Sequence, residues 1–396
     1  MPVLPPAIFI EPNDGCLTAA RVLARRGVEV YGLANERGAY IVRSRAFRGT
    51  VLAPLSRGHE PWLDRLAELA GSGGVLIAGS DPATEFLATA RASIPADLRS
   101  FESEHSAHLR LMDKRTLYEA AREAGVRCPW MLRAAGRDEL ADVVERAEYP
   151  CIVKPELSHR GKAAGDFRTT LVDDASGLRA LLGGALDVGV AMIVTEFVPG
   201  PESGLEGAVT VRTRDGRYPL EYGRRKLRQH PIDFGSGSLL RCARVPETMA
   251  MAKRLVESVG LVGISSFEAK HHAVTGERVL TEINVRVPLN FGLGEACGAQ
   301  ASWRLYAAIA ELPLGPQPEP RDGAKVMISW LDARAVRTRM ARGELSARGA
   351  LGSYRGTRDA GVLNLRDPLP GIVLARQILE DRSAKRTAPE GPIPTV

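Results

Sequence analysis

The chain has 396 residues, 44% hydrophobic and 25% charged, with a net charge of +6, the composition of a globular protein of two or three domains rather than of a disordered chain. Its basic residues are dispersed and not interleaved with aromatics, which argues against a nucleic-acid surface. No run approaches the roughly 18 apolar residues of a membrane span, and the start, MPVLPPAIFIEPND, lacks the basic and apolar regions of a signal peptide, so a cytoplasmic protein without membrane contact is expected.

In chain order, AIFI (7–10), the turn PNDG, the helical stretch LTAARVLARRG and VEVYGL (28–33) read as strand, helix and parallel strand, the unit of an open α/β sheet. The turn lacks GxGxxG, so no dinucleotide site is inferred. VLIAGS (75–80) reads as another buried strand, with Asp81 as N-cap and Pro82 as first residue of the next helix. Residues 1–110 are therefore expected to form a Rossmann-like α/β domain without its phosphate loop.

DKRTLYEAAREAG (113–125) has an acidic cap, helical periodicity and a glycine stop. A helix near 138–147 precedes YPCIVKP, a strand ending in Lys154-Pro155, then the polar loop ELSHRGKAAGDF and the strand AMIVTEFVPG. Strands near 205–222 and 238–245, a helix at 246–258, FEAKHHAV and TEINVRVPLN follow; the irregular alternation points to α+β subdomains, 111–195 and 196–312. PLGPQPEPRDG (313–323) reads as a linker opening a C-terminal extension to residue 396, and RSAKRTAPEGPIPTV as a mobile tail.

The five cysteines are scattered and without CxxC, so reduced thiols are expected, and the seven histidines show no metal-binding spacing. Carboxylates are more informative. Glu268 in FEAK and Glu282 in EINVR flank the turn-like TGER, the layout of a hairpin that sets both acids side by side. With Asn284 they would make an oxygen-only site suited to Mg²⁺ carrying nucleotide phosphates; ordinary cross-strand polar pairing is the competing reading. Strand alternation puts Glu282, Asn284 and Arg286 on one face, about 7 Å apart at each step. A solvated strand face would show the same alternation, although asparagine is disfavoured in strands.

Only eight of the 53 basic residues are lysines. Lys114 opens a helix, Lys154 ends a strand and Lys162 lies in the loop after it, positions where ligands are met and where a compact ammonium suits phosphate. Arg225, Lys226, Arg228 and Arg241 are candidates for gripping a substrate carboxylate, with solvated strand charges as the alternative.

IVKP, TEFVPGPE, FEAK and EINVR, in that order and at fitting separations, resemble the ATP-grasp carboxylate–amine ligases over roughly residues 1–310. SRA (44–46) and GRRKLRQHPIDFGSGS (223–238) are similar to a subgroup holding D-aspartate ligase-like and predicted ATP-grasp enzymes. The resemblance implies a pre-ATP-grasp N-terminal domain followed by ATP-grasp subdomains, with adenine read by the hinge Glu196, Phe197 and Val198 and ribose by Glu202. It places Lys114 and Lys154 at the α- and β-phosphates, with Lys162 also on ATP; Glu268, Glu282 and Asn284 on Mg²⁺, of which a second ion can bind and for which Mn²⁺ can substitute; and Arg286 facing the transferred phosphoryl group. Arg225 and Lys226 then join Arg286 in the catalytic set, and Arg228 and Arg241 bind substrate. SHRGKAAGDF has only two glycines where the family's phosphate-covering loop is often richer. LRDPLPGIVLARQIL is similar to C-terminal segments of the subgroup.

The implied reaction joins a small acid to an amine through an acyl phosphate with release of ADP and phosphate, by a protein that can act as a homodimer. Positioning and charge neutralisation carry most of such a phosphoryl transfer, in keeping with the lack of a nucleophilic serine or cysteine motif. A phosphotransferase acting on a hydroxyl, or a non-catalytic ATP-binding subunit, would share the nucleotide site.

Overall fold

The computed structural model describes residues 4–35, 38–52, 60–70, 73–101, 106–156, 167–232 and 234–387. Among them three sheets form. The first is parallel, in the order β3-β2-β1-β4-β5, from β1 (Ala7–Ile10), β2 (Val30–Ala34), β3 (Gly49–Leu52), β4 (Gly74–Ala78) and β5 (Leu98–Arg99). Every residue of β1 is buried, as in a central strand covered by helices on both faces. Asn13, rather than a glycine-rich loop, starts the helix Asp14–Arg25: its Oδ1 accepts from the Cys16 amide at 3.1 Å. The helix Asp81–Thr89 is capped by Ser80, one residue earlier than the sequence suggested, because the Ser80 hydroxyl reaches the Ala83 amide at 3.1 Å and leaves Asp81 inside the first turn.

The second sheet is antiparallel, in the order β6-β9-β7-β8, from β6 (Met131–Ala134), β7 (Cys151–Pro155), β8 (Thr170–Val172) and β9 (Met192–Glu196). The helix Ala175–Asp187 covers it through Leu178, Leu182 and Ala185. The third runs β14-β13-β10-β11-β12-β15-β16, from β10 (Leu205–Arg212), β11 (Leu220–His230), β12 (Ser236–Cys242), β13 (Gly263–His271), β14 (Arg278–Asn284), β15 (Lys325–Met327) and β16 (Thr357–Asp359).

Three sequence expectations change. β11 continues through RRKLRQH to His230, beyond the strand expected to end near residue 222. The segment after residue 313 is no separate appendage, since β15 and β16 extend the third sheet and Asp367 receives Arg21 and Ser44 of the first domain. The presumed tail is helical as far as Thr387, in the helix Leu369–Thr387.

Two contacts fix the first sheet to the end of β14. The amide of Val287 donates to the carbonyl of Ala78, and Asn13 Nδ2 donates to the carbonyls of Gly79 and Val287, both at 2.7 Å. Gly15 permits this approach, because a Cβ there would stand 2.1 Å from the Pro288 carbonyl oxygen.

Candidate active site

The hairpin of β13 and β14 pairs Glu268 directly with Glu282, and Ser266 with Asn284. Thr281 is the extra residue of a bulge beside them and donates its hydroxyl to the Glu268 carbonyl at 3.2 Å. The two acids differ in surroundings. Glu268 takes Lys226 Nζ at 2.8 Å and lies 4.0 Å from Arg224. Glu282 is exposed and has no hydrogen-bond or ion-pair partner among the described residues. Among those residues no group of three His, Cys, Asp or Glu side chains is poised to hold a metal. Two carboxylates and an amide oxygen therefore fit Mg²⁺ that brings phosphate and water ligands with it, not an ion caged by protein alone.

Asn284 is the last residue of β14, so Arg286 is not on the strand itself as expected. The alternation of buried and open residues nevertheless continues past the strand end. Arg286 Nη2 donates to Asn284 Oδ1 at 3.1 Å and Nε to Asp81 Oδ1 at 2.7 Å, which holds the guanidinium beside the candidate metal ligands.

Facing this hairpin from the second sheet and its neighbouring helix are two lysines. Lys154, at the end of β7, donates to the Tyr118 hydroxyl at 3.2 Å and sits 5.7 Å from that ring's centroid. Burial pushes its ammonium down to about 8, with Glu282 acting in the opposite direction. Lys114, first residue of the helix Lys114–Glu123, donates to the Glu156 carbonyl at 3.4 Å. Burial, then Lys154, pushes it down, while Glu282 and Asp81 oppose. Elements of three different parts of the chain thus share one electrostatic field.

Along one edge, β9 ends at Glu196, whose carboxylate is gripped by Arg127 at 2.7 and 2.9 Å. Phe197 lies 5.5 Å under the Lys270 ammonium, and Val198 is buried. Glu202 opens the short turn Glu202–Gly204 and is paired with Arg339 of the helix Ser329–Ala341. Lys162 lies outside the described residues.

Of the four basic candidates on β11 and β12, only Lys226 reaches the hairpin acids. Successive strand residues face opposite sides, so Arg225 points away, to Glu206 at 2.7 Å, and its cross-strand partner Arg241 shares that face. Arg228 is on the Lys226 side but is consumed by buried Asp332, at 3.0 and 2.7 Å, and by Ser353 at 2.7 Å. The structure therefore does not bring the four together as one grip.

The chain is similar to solved structures of N5-carboxyaminoimidazole ribonucleotide synthetase in an ADP complex (16% identity, 80% of each chain, TM-score 0.60) and of L-amino acid ligase from Bacillus licheniformis (17%, 79% of this chain and 76% of that one, 0.60). It is also similar to a biotin carboxylase–β-γ-ATP complex from Campylobacter jejuni (15%, 81% and 74%, 0.62). The fold is ATP-grasp. No family model matches the sequence. No curated protein matches it either.

Within this fold, sequence reasoning missed Arg224. It is 4% exposed, bonds Asn290 and, at 2.9 Å, Ser266, and stands on the same side of β11 as Lys226. The signal was present, because Tyr222, Arg224 and Lys226 are alternate residues of a strand whose buried positions recur with period two. Asp81 and Tyr118 were missed as well, one read as a helix cap and the other only as a residue of the helix 113–125. Only their contacts to Arg286 and Lys154 bring them to the site.

Proposed function

We propose that the chain is an ATP-dependent ligase that joins the carboxylate of a small acid, an amino acid or a relative of one, to an amine. The observation that carries this reading is that Lys154 and Lys114, from two elements, both lie in the field of Glu282, a carboxylate without a hydrogen-bond or ion-pair partner among the described residues, whose cross-strand neighbour is Glu268. Two cations and two acids from separate elements are what a magnesium nucleotide's tail requires. The presence of an L-amino acid ligase among the similar structures supports amino acids as the substrate class.

In the proposed reaction a substrate carboxylate oxygen attacks the γ-phosphorus of ATP, and the bond to the β–γ bridging oxygen breaks to release ADP. The amine nitrogen then attacks the acyl carbon, the carbon–oxygen bond to phosphate breaks, and the nitrogen loses a proton as the amide forms. Lys154 and Lys114 hold the phosphates, Glu268, Glu282 and Asn284 would ligate Mg²⁺, and Arg286, fixed by Asp81 and Asn284, meets charge that develops on the transferring group. When bound, Mg²⁺ would neutralise phosphate charge and orient the tail. Lys226 and Arg224 offset the charge of Glu268 and keep it in place.

Amino acids tested pairwise for release of ADP and phosphate in equal amounts, with a new amide detected by mass, give the decisive assay. ADP without free phosphate would indicate a phosphotransferase, and nucleotide binding without turnover in any pair would indicate a binding subunit.

A further inference from the structure

A cavity of about 930 Å³ lies where the edge of the first sheet, the turn between β10 and β11, the helix Ala301–Ile309 and the segment 312–317 meet. It is of the size that encloses a metabolite-sized ligand, which pockets of about 300–1,000 Å³ do. No candidate active-site residue lines it. Leu220 opens β11 next to this turn, and Lys226 stands roughly 20 Å further along the strand at ~3.3 Å per residue.

The lining is unusual in charge. Five arginines face two carboxylates, Asp215 and Glu311, among the described residues. Arg217 is committed to Asp215 at 2.6 Å and Arg99 leans on Glu311 at 3.2 Å. Arg91 and Arg304, in contrast, have only carbonyl partners among the described residues. Arg91 donates to Leu98 at 3.1 Å. Arg304 donates to Pro219 at 2.9 Å, Gly315 at 3.0 Å and Pro316 at 2.6 Å. Arg304 is 4% exposed, and its Nε has no acceptor. A guanidinium withdrawn from water without a counter-ion is costly, and burial alone already pushes its pKa down. Phe101, Ile309 and Leu312 supply an apolar wall beside these cations.

We propose that this cavity is a second ligand site, for a small anion that carries an apolar body, with Arg91 and Arg304 supplying the charge for its carboxylate or phosphate. Binding there does not depend on nucleotide in the active site.

Phenyl phosphate and benzoate present one ring with the two anionic groups, and each is titrated calorimetrically into the full chain. At least one is expected to bind one-to-one, at least five-fold more weakly to the Arg91→Gln and Arg304→Lys variants, and undiminished by saturating Mg·ATP. The tighter probe tells which anion the site takes. Arg91 is only half-buried, so its variant remains decisive should Arg304→Lys fail to fold. Three results overturn the site: no heat from either probe at ~10 mM, an affinity too weak to matter; equal binding to wild type and Arg91→Gln; or displacement by Mg·ATP.

Discussion

Lys226 touches Glu268 and Lys154 lies in the field of Glu282, in opposite electrical surroundings. Lys226 has a carboxylate at 2.8 Å. Lys154 has a phenol hydroxyl at 3.2 Å and is pushed down to about 8 by burial. The same contrast separates the carboxylates, since Glu268 is compensated and Glu282 is not. Compensated charge builds the sheet; uncompensated charge, at Lys154 and Glu282, marks the place left for a ligand's own charges. The basic residues of β11 obey the same division, which is why Arg225 and Arg228, both paired within the protein, are reassigned from substrate binding to structure.

The largest expected effect lies on the compensated side. Asp332 is fully buried against Arg228, and breaking a buried pair by removing one partner costs about 3–5 kcal/mol. Asp332→Ala should lower the denaturation midpoint accordingly, with Mg·ATP affinity unchanged while the chain is folded. An Asp332→Ala chain as stable as wild type would break the assignment.

Next comes Arg286, for which the difference should show in rate. Arg286→Ala should lower kcat roughly 100-fold or more, the scale of losing one preorganised transition-state donor, and leave nucleotide affinity nearly unchanged. Asp81→Asn should produce a smaller loss of the same kind, since the carboxylate at 2.7 Å positions that guanidinium. Near-normal kcat in Arg286→Ala would return it to a purely structural link between domains.

A smaller effect sharpens the comparison between an unpaired and a paired cation. Lys154→Ala should weaken Mg·ATP about ten-fold, or ~1.4 kcal/mol, whereas Arg225→Ala should change neither nucleotide affinity nor the KM for the acid. Equal losses from both substitutions would erase the distinction between paired and unpaired cations.

The same lysine should also show in stability against pH. The folded Lys154 has its pKa near 8, below the ordinary 10.5, so between these values the unfolded chain binds the additional proton and stability rises with pH. Lys154→Met should flatten that rise in denaturant titrations between pH 8 and 10. An unaltered slope would place the ammonium in water.

Local signals were sufficient where an element closes on itself. Asp113 and Gly125 bounded a helix, and the apolar segments around TGER gave the hairpin that sets Glu268 opposite Glu282. They failed where a charge is explained by a residue far along the chain. Substrate grip and solvated strand charges were both open for RRKLRQH because the partner of Arg228 is Asp332, 104 positions away, and the extension after 313 looked detached because Asp359 and Asp367 are bound by Thr18 and Arg21. Which of two adjacent basic residues faces the site is a matter of strand register, and that was not readable with the strand expected to stop near residue 222.

The central claim is that the uncompensated lysine and carboxylate are two halves of one nucleotide site, and thermal unfolding with Mg·ATP tests it most directly. At a hundred times its dissociation constant the ligand should stabilise wild type by about 2.7 kcal/mol. Lys154→Ala should lose much of this protection, and Glu282→Ala should lose the part that depends on Mg²⁺, while Arg225→Ala keeps it all. A wild-type chain whose midpoint does not move with saturating Mg·ATP, or a Glu282→Ala chain protected as fully as wild type, would contradict the account.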